Sequence, residues 1–255
     1  WQAPALATKN GLTAVELFEA VSSGEVKAVW IMATNPVDSL PEADKVRQAL
    51  MACDTVVVSD CVASGDTLAC ADIRLPALGW GEKSGMVTNS ERCVSRQRPF
   101  VPAPGQAKAD WWIITEVAQR MGFADAFPYQ HEHDIFAEYS ALTAVAGQFG
   151  KRLDLTGAAD LSADQYAQWQ PQQWPLNGDP RCYADGQFST PSGRARFVRC
   201  ENPPVRQIGH AFPTILKRGR IRDHWHPMTR PGRARPLFAH LTSPFPALSP
   251  PDIVR

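Results

Sequence analysis

Apolar residues in the N-terminal part of the chain alternate between helical spacing and continuous runs. Residues 12–21 carry apolar side chains at helical spacing and are followed by Gly24, which predicts a helix and its end. Two continuous apolar runs follow, VKAVWIMA at 26–33 and TVVVS at 55–59, on either side of an amphipathic stretch at 42–53. We interpret this order as a strand–helix–strand unit of a parallel sheet that helices cover on both faces.

The middle of the chain predicts one more strand and three more helices around a long polar segment. DIRLP at 72–76 has the composition of a short strand. The segment at 77–107 is too long and too polar for a simple connector, and such segments are usually functional or disordered. Helical spacing returns further on and predicts helices at 110–121, 134–146 and 162–169.

The C-terminal part has a different character. After the irregular stretch at 170–180, short strand-like runs occur at 194–198, 212–216 and 236–241, with many prolines between them. We therefore expect an α/β region at 1–200 and a β-rich, incomplete domain at 201–255.

Composition narrows the classes of function. Lys plus Arg and Asp plus Glu both number 26, so the excess positive charge of a dedicated nucleic-acid binder is missing, and we expect no nucleic-acid partner. The longest apolar runs are far shorter than the roughly 20 residues of a membrane span. Six cysteines without a CxxC pair indicate reduced thiols and a cytoplasmic protein. Because the chain starts at Trp1, we expect it to be part of a longer protein.

Polar side chains follow the predicted strands. Asn35 comes after the first strand, Ser59 and Asp60 come after the second, and Asp110 opens a helix. Ligands of parallel sheets bind at these carboxyl ends, where such side chains can hydrogen-bond a nucleotide. The GxGxxG fingerprint of NAD-binding proteins is missing. Each residue also has an ordinary structural interpretation, since Asn35 can begin a turn, Asp60 can end a strand and Asp110 can cap its helix.

Three interpretations compete for the basic stretch KRGRIRDHWHPMTRPGRARP at 217–236. Arginines with Trp225 could bind a single-stranded nucleic acid, and His224 with His226 could bind a metal, although no third ligand is near in sequence. We favour an arginine-rich turn that binds an anionic cofactor, because guanidinium groups match phosphate oxygens. Two other charged positions, Lys83 in the long polar segment and HEHD at 131–134, are interpreted by default as a solvated charge and a solvated helix cap.

Several long segments together resemble the molybdopterin oxidoreductase superfamily and, within it, the assimilatory nitrate reductase branch. They occur in the same order as in the family and extend over nearly the whole chain. The segments are WIMATNPVDSLPEADKVRQAL, VVVSD, ADIRLPALGWGEKSGMVTNSERCVSRQ, PAPGQAKADWWIITEVAQRMGF, QQWPL, DGQFSTPSGRARF and GRIRDHWHPMTRPG.

The resemblance implies a fold, a cofactor and a set of contacts. The fold would be part of a Rossmann-like doubly wound sheet domain, followed by the truncated start of a C-terminal β-barrel domain. The cofactor would be molybdenum held by bis(molybdopterin guanine dinucleotide). One cofactor arm would contact Asn35, Ser59, Asp60, Lys83 and Asp110. The turn that begins the barrel would line the pterins with Arg218, Gly219, Arg220, His224, Trp225 and His226.

The implied reaction is the two-electron reduction of nitrate to nitrite, with electrons arriving through a 4Fe-4S cluster. The family's cluster ligands and molybdenum ligand are expected outside this chain, so none of its cysteines, no catalytic residue and no metal ligand are assigned, and we expect the isolated chain to be inactive. The electron donor stays open among a reductase subunit, ferredoxin and flavodoxin. Another family member such as a formate dehydrogenase, and a non-catalytic nucleotide- or RNA-binding module, are the alternatives. Cys93, Arg218 and Pro227 depart from the family pattern.

Overall fold

The computed structural model describes residues 1, 3, 5–179, 181–202 and 231–238. These residues form two compact units. What we call the helical unit consists of Thr13–Val56, Val62–Asp72 and the described residues from Val198 onward. What we call the hairpin unit consists of Trp1–Leu12, Val57–Cys61 and Ile73–Phe197. Among the described residues, no helix has both the length and the apolar character needed to cross a membrane.

The helical unit follows the predicted order of elements. Its elements are α1 (Ala14–Ser22), β1 (Ala28–Met32), α2 (Pro36–Ser39) and α3 (Ala43–Ala52). The first helix begins where the Thr13 N–H donates to the Glu16 carboxylate at 2.8 Å, and it is followed by Gly24 at φ +78°, a conformation that favours glycine. The helix α1 packs against α3, and their shared core includes Val21, Val46 and Leu50.

Two further strands complete a three-stranded sheet in the order β1-β2-β3. Strand β2 (Thr55–Asp60) pairs in parallel with β3 (Ile73–Pro76), in a register that runs from Val57 opposite Ile73 to Asp60 opposite Pro76. Val56 and Val58 on one face of β2 and Ser59 on the other are fully buried, as expected for a strand with both faces covered. The predicted parallel pairing is therefore confirmed for β2 and β3.

The long polar segment at 77–107 is ordered around an antiparallel hairpin, which the hydrophobic pattern did not predict. A short 3₁₀ turn at Trp80–Glu82 precedes β4 (Gly85–Thr88), which pairs with β5 (Cys93–Gln97). The side chain of Asn89 closes the hairpin loop, because its Oδ1 accepts from the N–H groups of Glu91 and Cys93. Strand β6 (Gln172–Gln173) adds to the other edge of β5.

The hairpin unit contains three helices close to the predicted positions, and the last two of them contribute to the core beside the second sheet. They are α4 (Asp110–Arg120), α5 (Glu132–Gly147) and α6 (Ala163–Ala167). The core of the hairpin unit contains Val94, Phe136, Leu155, Ala158, Tyr166 and Trp169. The Trp169 indole N–H donates to the Val94 carbonyl at 3.0 Å, which fixes the segment after α6 against β5.

Two of the strands predicted for the C-terminal part are wrong where the structure describes them. Residues 194–198 form no strand, and Phe197 is 98% exposed, so this run has no apolar surface to pack against within the described chain. Residues Arg235–Phe238 form a helical turn, α7, in place of a strand at 236–241. Pro236 has no N–H for a strand ladder but fits the first turn of a helix. The run at 212–216 lies outside the described residues.

Candidate functional site

The carboxyl ends of β2 and β3 and the beginning of α4 are held at one edge of the hairpin unit. The Ala77 N–H donates to the Asp60 carbonyl at 3.0 Å, which extends the strand pairing by one residue. The Lys108 N–H donates to the Pro76 carbonyl, and the Lys108 carbonyl accepts from the Leu78 N–H, both at 3.0 Å. This backbone bridge places the segment before α4 beside the end of β3. We call the residues predicted at this edge, Ser59, Asp60, Lys83 and Asp110, the strand-end site.

Lys83 and Asp110, which are 27 positions apart, form an ion pair with Nζ and Oδ2 at 2.9 Å. Their side chains are 30% and 31% exposed, so water and a ligand can reach both. Lys83 directly follows the 3₁₀ turn at Trp80–Glu82, which is closed by the Gly79 N–H donating to the Glu82 carboxylate at 2.7 Å. The structure thus brings together two of the predicted site residues.

Asp110 is not the cap of its helix, so this ordinary interpretation is wrong. The N-cap position of α4 is Ala109, and no side chain there accepts a capping hydrogen bond. Asp110 is the first helical residue, where a negative charge is favoured by the helix dipole. Its carboxylate is directed at Lys83.

Ser59 and Asp60 occupy the last two positions of β2. Ser59 is fully buried opposite Leu75, so its hydroxyl lies inside the structure. Asp60 is partly exposed, and its Oδ1 accepts from the Cys61 N–H at 2.6 Å. This local bond orients the carboxylate at the end of the strand, as the ordinary interpretation of Asp60 also requires.

Asn35 lies in the helical unit and belongs to a buried polar network. It occupies the N-cap position of α2, and its Oδ1 accepts from the Thr67 N–H at 3.3 Å and the Thr67 hydroxyl at 2.5 Å. Its Nδ2 donates to the Asp38 carboxylate. The Val37 N–H donates to the Thr67 hydroxyl at 3.1 Å. These bonds tie α2 to the segment that carries Thr67, which confirms the turn interpretation of Asn35.

The carboxyl group of Asp38 is perturbed within this network. Burial raises the pKa of Asp38, and a hydrogen bond with Asp66 together with the negative charge of Asp66 raises it further. The hydrogen bond from Asn35 and the charge of Arg47 act in the opposite direction on this pKa. The net effect is a raised pKa, so Asp38 holds its proton to a higher pH than an ordinary aspartate does.

Sequence reasoning missed a buried charge cluster in the hairpin unit. The Arg96 guanidinium donates through Nη1 to the carbonyls of Gly85 and Gln97 at 2.9 and 2.8 Å, and its Nη2 lies 3.3 Å from the Glu132 carboxylate. Its central carbon lies 4.0 Å from the centre of the Tyr166 ring, in cation–π geometry. Burial raises the pKa of Tyr166 to about 12, so the phenol is neutral.

HEHD at 131–134 is only in part the solvated cap that was expected. Asp134 does cap the helix, because its Oδ2 accepts from the N–H groups of Gln130 and His131 at 2.9 Å. Glu132, by contrast, is 24% exposed and pairs with Arg96. Burial alone would raise the pKa of Glu132, but hydrogen bonds from Ser84 and the backbone, with the charge of Arg96, lower it overall. The spacing of apolar residues cannot predict a buried ion pair, because Arg and Glu in a sequence are normally interpreted as surface residues.

The six remaining predicted contacts and the departure at Cys93 complete the set of sequence predictions for the site. Arg218, Gly219, Arg220, His224, Trp225 and His226 lie outside the described residues. Cys93, which departs from the family pattern, begins β5 next to Arg92, whose guanidinium lies 5.3 Å from the Trp174 ring centre and donates to the Cys182 sulfur. Within the described parts of the chain, no group of three or more His, Cys, Asp or Glu side chains is placed to hold a metal ion.

The strand-end site has the chemistry of a nucleotide site. Carboxylates accept hydrogen bonds only, so Asp60 and Asp110 suit a base that presents N–H donors. Guanine presents two adjacent donors, N1–H and the 2-amino group, whereas adenine presents no such pair. Lys83 adds an ammonium group that can contact a carbonyl or phosphate oxygen. The residues present therefore fit a guanine nucleotide.

Comparisons with known proteins point to one family. Residues 2–120 match the family model described as molybdopterin oxidoreductase. Nitrate reductase of Klebsiella oxytoca is 46% identical over 100% of this chain, and nitrate reductase of Shewanella frigidimarina is 44% identical over 96%. A formate dehydrogenase alpha subunit of Methanocaldococcus jannaschii is 33% identical over 95%. The chain spans 30%, 27% and 35% of the lengths of these three relatives.

One solved structure supports the fold. Acetylene hydratase from Pelobacter acetylenicus matches with a TM-score of 0.52 and 22% identity, over 71% of this chain and 23% of that one. At this identity the match concerns the fold alone. It agrees with the mixed α/β arrangement of one parallel and one antiparallel sheet.

Proposed function

Because the chain belongs to the molybdopterin oxidoreductase family, we propose that it is part of a nitrate reductase in which the strand-end site binds one arm of a bis(molybdopterin guanine dinucleotide) cofactor. The single observation that carries the assignment of the site is the ion pair of Lys83 and Asp110 beside the carboxyl end of β3. Ligands of doubly wound α/β sheets bind at this end of the strands. Identity of 46% and 44% to two nitrate reductases, against 33% to a formate dehydrogenase, favours nitrate as the substrate.

Each residue of the strand-end site has a role in this proposal. Asp110 accepts hydrogen bonds from the guanine N–H groups, and Asp60 offers a second carboxylate at the end of β2. Lys83 holds the Asp110 carboxylate in place and supplies positive charge for an oxygen of the nucleotide. Ser59 is buried, so it supports Asp60 from within the sheet. Asn35 stabilises α2 in the helical unit, which makes an indirect role more consistent with its contacts than a direct one.

The other parts of the proposal concern the domain arrangement, the pterin contacts and the electron path. The turn with Arg218, Gly219, Arg220, His224, Trp225 and His226 would contact the pterins and begin a β-barrel domain at 201–255, after a Rossmann-like doubly wound region at 1–200. When bound, the cofactor supplies the redox-active molybdenum for two-electron reduction of nitrate to nitrite. A 4Fe-4S cluster bound by residues other than those of this chain would pass electrons from a donor such as a reductase subunit, ferredoxin or flavodoxin.

Nitrate assimilation in the cytoplasm is the setting that we propose. All six cysteines are free thiols, which supports a reducing compartment. The balanced charge of the chain offers no general attraction for nucleic acid, so a nucleotide- or RNA-binding module is the weaker alternative. A formate dehydrogenase is the stronger alternative, because 33% identity extends over 95% of the chain and the same cofactor site would serve both reactions.

The test uses the intact gene product, purified from a host that makes the cofactor. Molybdenum content and the GMP released by acid hydrolysis report cofactor binding, and nitrite formed with reduced methyl viologen reports turnover. We expect both molybdenum and GMP together with nitrate reduction. Formate-dependent reduction of an oxidised dye, without nitrite formation, would transfer the proposal to the formate dehydrogenase class. Folded protein without GMP would refute the cofactor assignment.

A further inference from the structure

We infer that Arg96 and Glu132 act as positioning residues, which fix the backbone next to Lys83 so that its ammonium group is held at the strand-end site. This inference rests on the proposed function of that site. Arg96 contacts the backbone just after Lys83, so we expect the influence of the pair to pass through Lys83. Arg96 lies on β5 and Glu132 opens α5.

The pair acts on the two residues that directly follow Lys83. The Arg96 guanidinium donates to the Gly85 carbonyl at 2.9 Å, and Ser84 lies close enough to Glu132 to lower the pKa of its carboxyl group. The ion pair between Arg96 and Glu132, at 3.3 Å, joins these two contacts into one unit. The backbone therefore leaves Lys83 in a fixed direction.

The segment before Lys83 is fixed by hydrogen bonds from the end of β5 and the residues that follow it. The Gln97 side-chain amide donates to the Trp80 carbonyl at 2.7 Å, and the Gly81 carbonyl accepts from the Phe100 N–H at 2.9 Å. The neighbours Arg96 and Gln97 thus fix the chain on both sides of Lys83. An ammonium group on a long flexible stem loses less entropy on binding when its backbone is already fixed.

The burial of Arg96 also indicates that the residue orients the backbone beside Lys83 more than it stabilises the fold. Its side chain is 9% exposed, and its Nε has no hydrogen-bond partner among the described residues. Burying a charge costs free energy, and buried ion pairs can often be replaced by apolar residues without loss of stability. What apolar residues cannot replace is the planar guanidinium, whose Nη1 donates to the carbonyls of Gly85 and Gln97 while its Nη2 faces the Glu132 carboxylate.

Conservative variants test the inference in the cofactor-free intact gene product. Arg96→Lys keeps the charge but loses the fork, and Glu132→Gln keeps the shape but loses the charge. Glu116→Gln is the matched control, because Glu116 forms an exposed i, i+4 pair with Arg120 on α4. Two quantities are measured: the rate at which an acylating reagent modifies Lys83, followed by peptide mass spectrometry, and the affinity for GDP, measured by calorimetry.

We expect Lys83 to be modified several-fold faster in both variants, and the affinity for GDP to fall about ten-fold, as for a lost hydrogen bond to a charged group. The control should leave both unchanged. In a Lys83→Met background, Arg96→Lys should cause no further loss of affinity, because its effect passes through Lys83. An equal loss in both backgrounds, or unchanged modification of Lys83, would overturn the inference.

The experiment distinguishes failure of the proposed function from failure of the positioning inference. Wild-type protein that does not bind GDP would contradict the proposed function, while the modification rate of Lys83 would still decide whether Arg96 and Glu132 position it. If circular dichroism shows that Arg96→Lys or Glu132→Gln does not fold, Ser84→Ala removes the hydroxyl that acts on Glu132 and is expected to speed Lys83 modification in the same direction. Unchanged modification in a folded Ser84→Ala protein would count against the inference.

Discussion

The ammonium nitrogen of Lys83 lies 2.9 Å from the carboxylate of Asp110, although one residue follows a 3₁₀ turn and the other opens a helix. The two segments meet because the chain after β3 and the chain before α4 form a parallel backbone bridge between Ala77 and Lys108. About two thirds of each side chain is buried, so the pair is both ordered and within reach of a ligand. Its two charges suit the guanine base and the phosphates that we propose for this site.

Asp110→Asn should separate cofactor binding from stability. Ion pairs at partly exposed positions contribute less than about 1 kcal/mol, so the free energy of unfolding in urea should change little. The substitution replaces one acceptor oxygen with a donor, which opposes the guanine N–H groups, and we expect GMP content to fall about ten-fold or more. Glu116→Gln on the same helix serves as the control. Wild-type GMP content in Asp110→Asn protein would remove Asp110 from the site.

Trp169→Phe should destabilise the hairpin unit without acting on the strand-end site directly. The substitution deletes part of a buried ring and leaves the Val94 carbonyl without the indole donor. We expect a loss of about 2 kcal/mol, measured as a shift of the urea midpoint at constant slope. Trp112→Phe is the matched control, because Trp112 is partly exposed on α4 and should lose much less. Equal losses for both variants would contradict the importance of the buried bond.

The first two strands of the parallel sheet could be predicted because each is a continuous apolar run, and β2 is well buried. Continuous runs such as TVVVS have few competing interpretations, and the helix at 110–121 shows clear helical spacing. The hairpin of β4 and β5 could not be predicted in this way. Of its inward-facing residues, Val94 is fully buried and Met86 only partly, so the alternation with period two is too short to recognise.

The residues of the strand-end site were predicted from two kinds of evidence, their positions in the sequence and the family resemblance. Polar residues after strands predicted Ser59, Asp60 and Asp110, but only the family resemblance selected Lys83 from the other charges of its segment. The contact between Arg96 and Glu132 had no signal in the sequence, since the residues are 36 positions apart and both are usually surface residues. Asn35 was chosen for its position, and only the structure shows that its amide is occupied by Thr67 and Asp38.

Tyr166→Phe should leave stability unchanged or increase it. The Tyr166 hydroxyl is buried and has no hydrogen-bond partner among the described residues, so removing it abolishes an uncompensated polar group. The ring that faces the Arg96 guanidinium is retained. We expect a gain of up to about 1 kcal/mol in the free energy of unfolding. Tyr166→Leu, which loses the aromatic face, should be destabilised; a destabilised Tyr166→Phe protein would show that the hydroxyl has a bonding partner.

The polar network around Asp38 makes stability depend on pH with a defined sign. In the folded protein the pKa of Asp38 is raised by burial and by Asp66, whereas in the unfolded chain it is close to the ordinary value of about 3.9. The contribution of Asp38 to stability is therefore complete below the unfolded pKa and is lost as the pH rises through the folded pKa. The charges that oppose each other at neutral pH are those of Asp38 and Asp66, with Arg47 beside Asp66 at 3.5 Å.

Asp38→Asn should remove this pH dependence, because an amide at this position cannot ionise and its oxygen can still accept from Asn35. We expect the free energy of unfolding of the variant, minus that of the wild type, to increase as the pH is raised from about 4 to 7. Urea unfolding at several pH values in this range measures the difference. Asp44→Asn, at an exposed position in the first turn of α3, is the control and should not show this increase. A constant difference for Asp38→Asn would mean that Asp38 does not retain its proton through contact with Asp66.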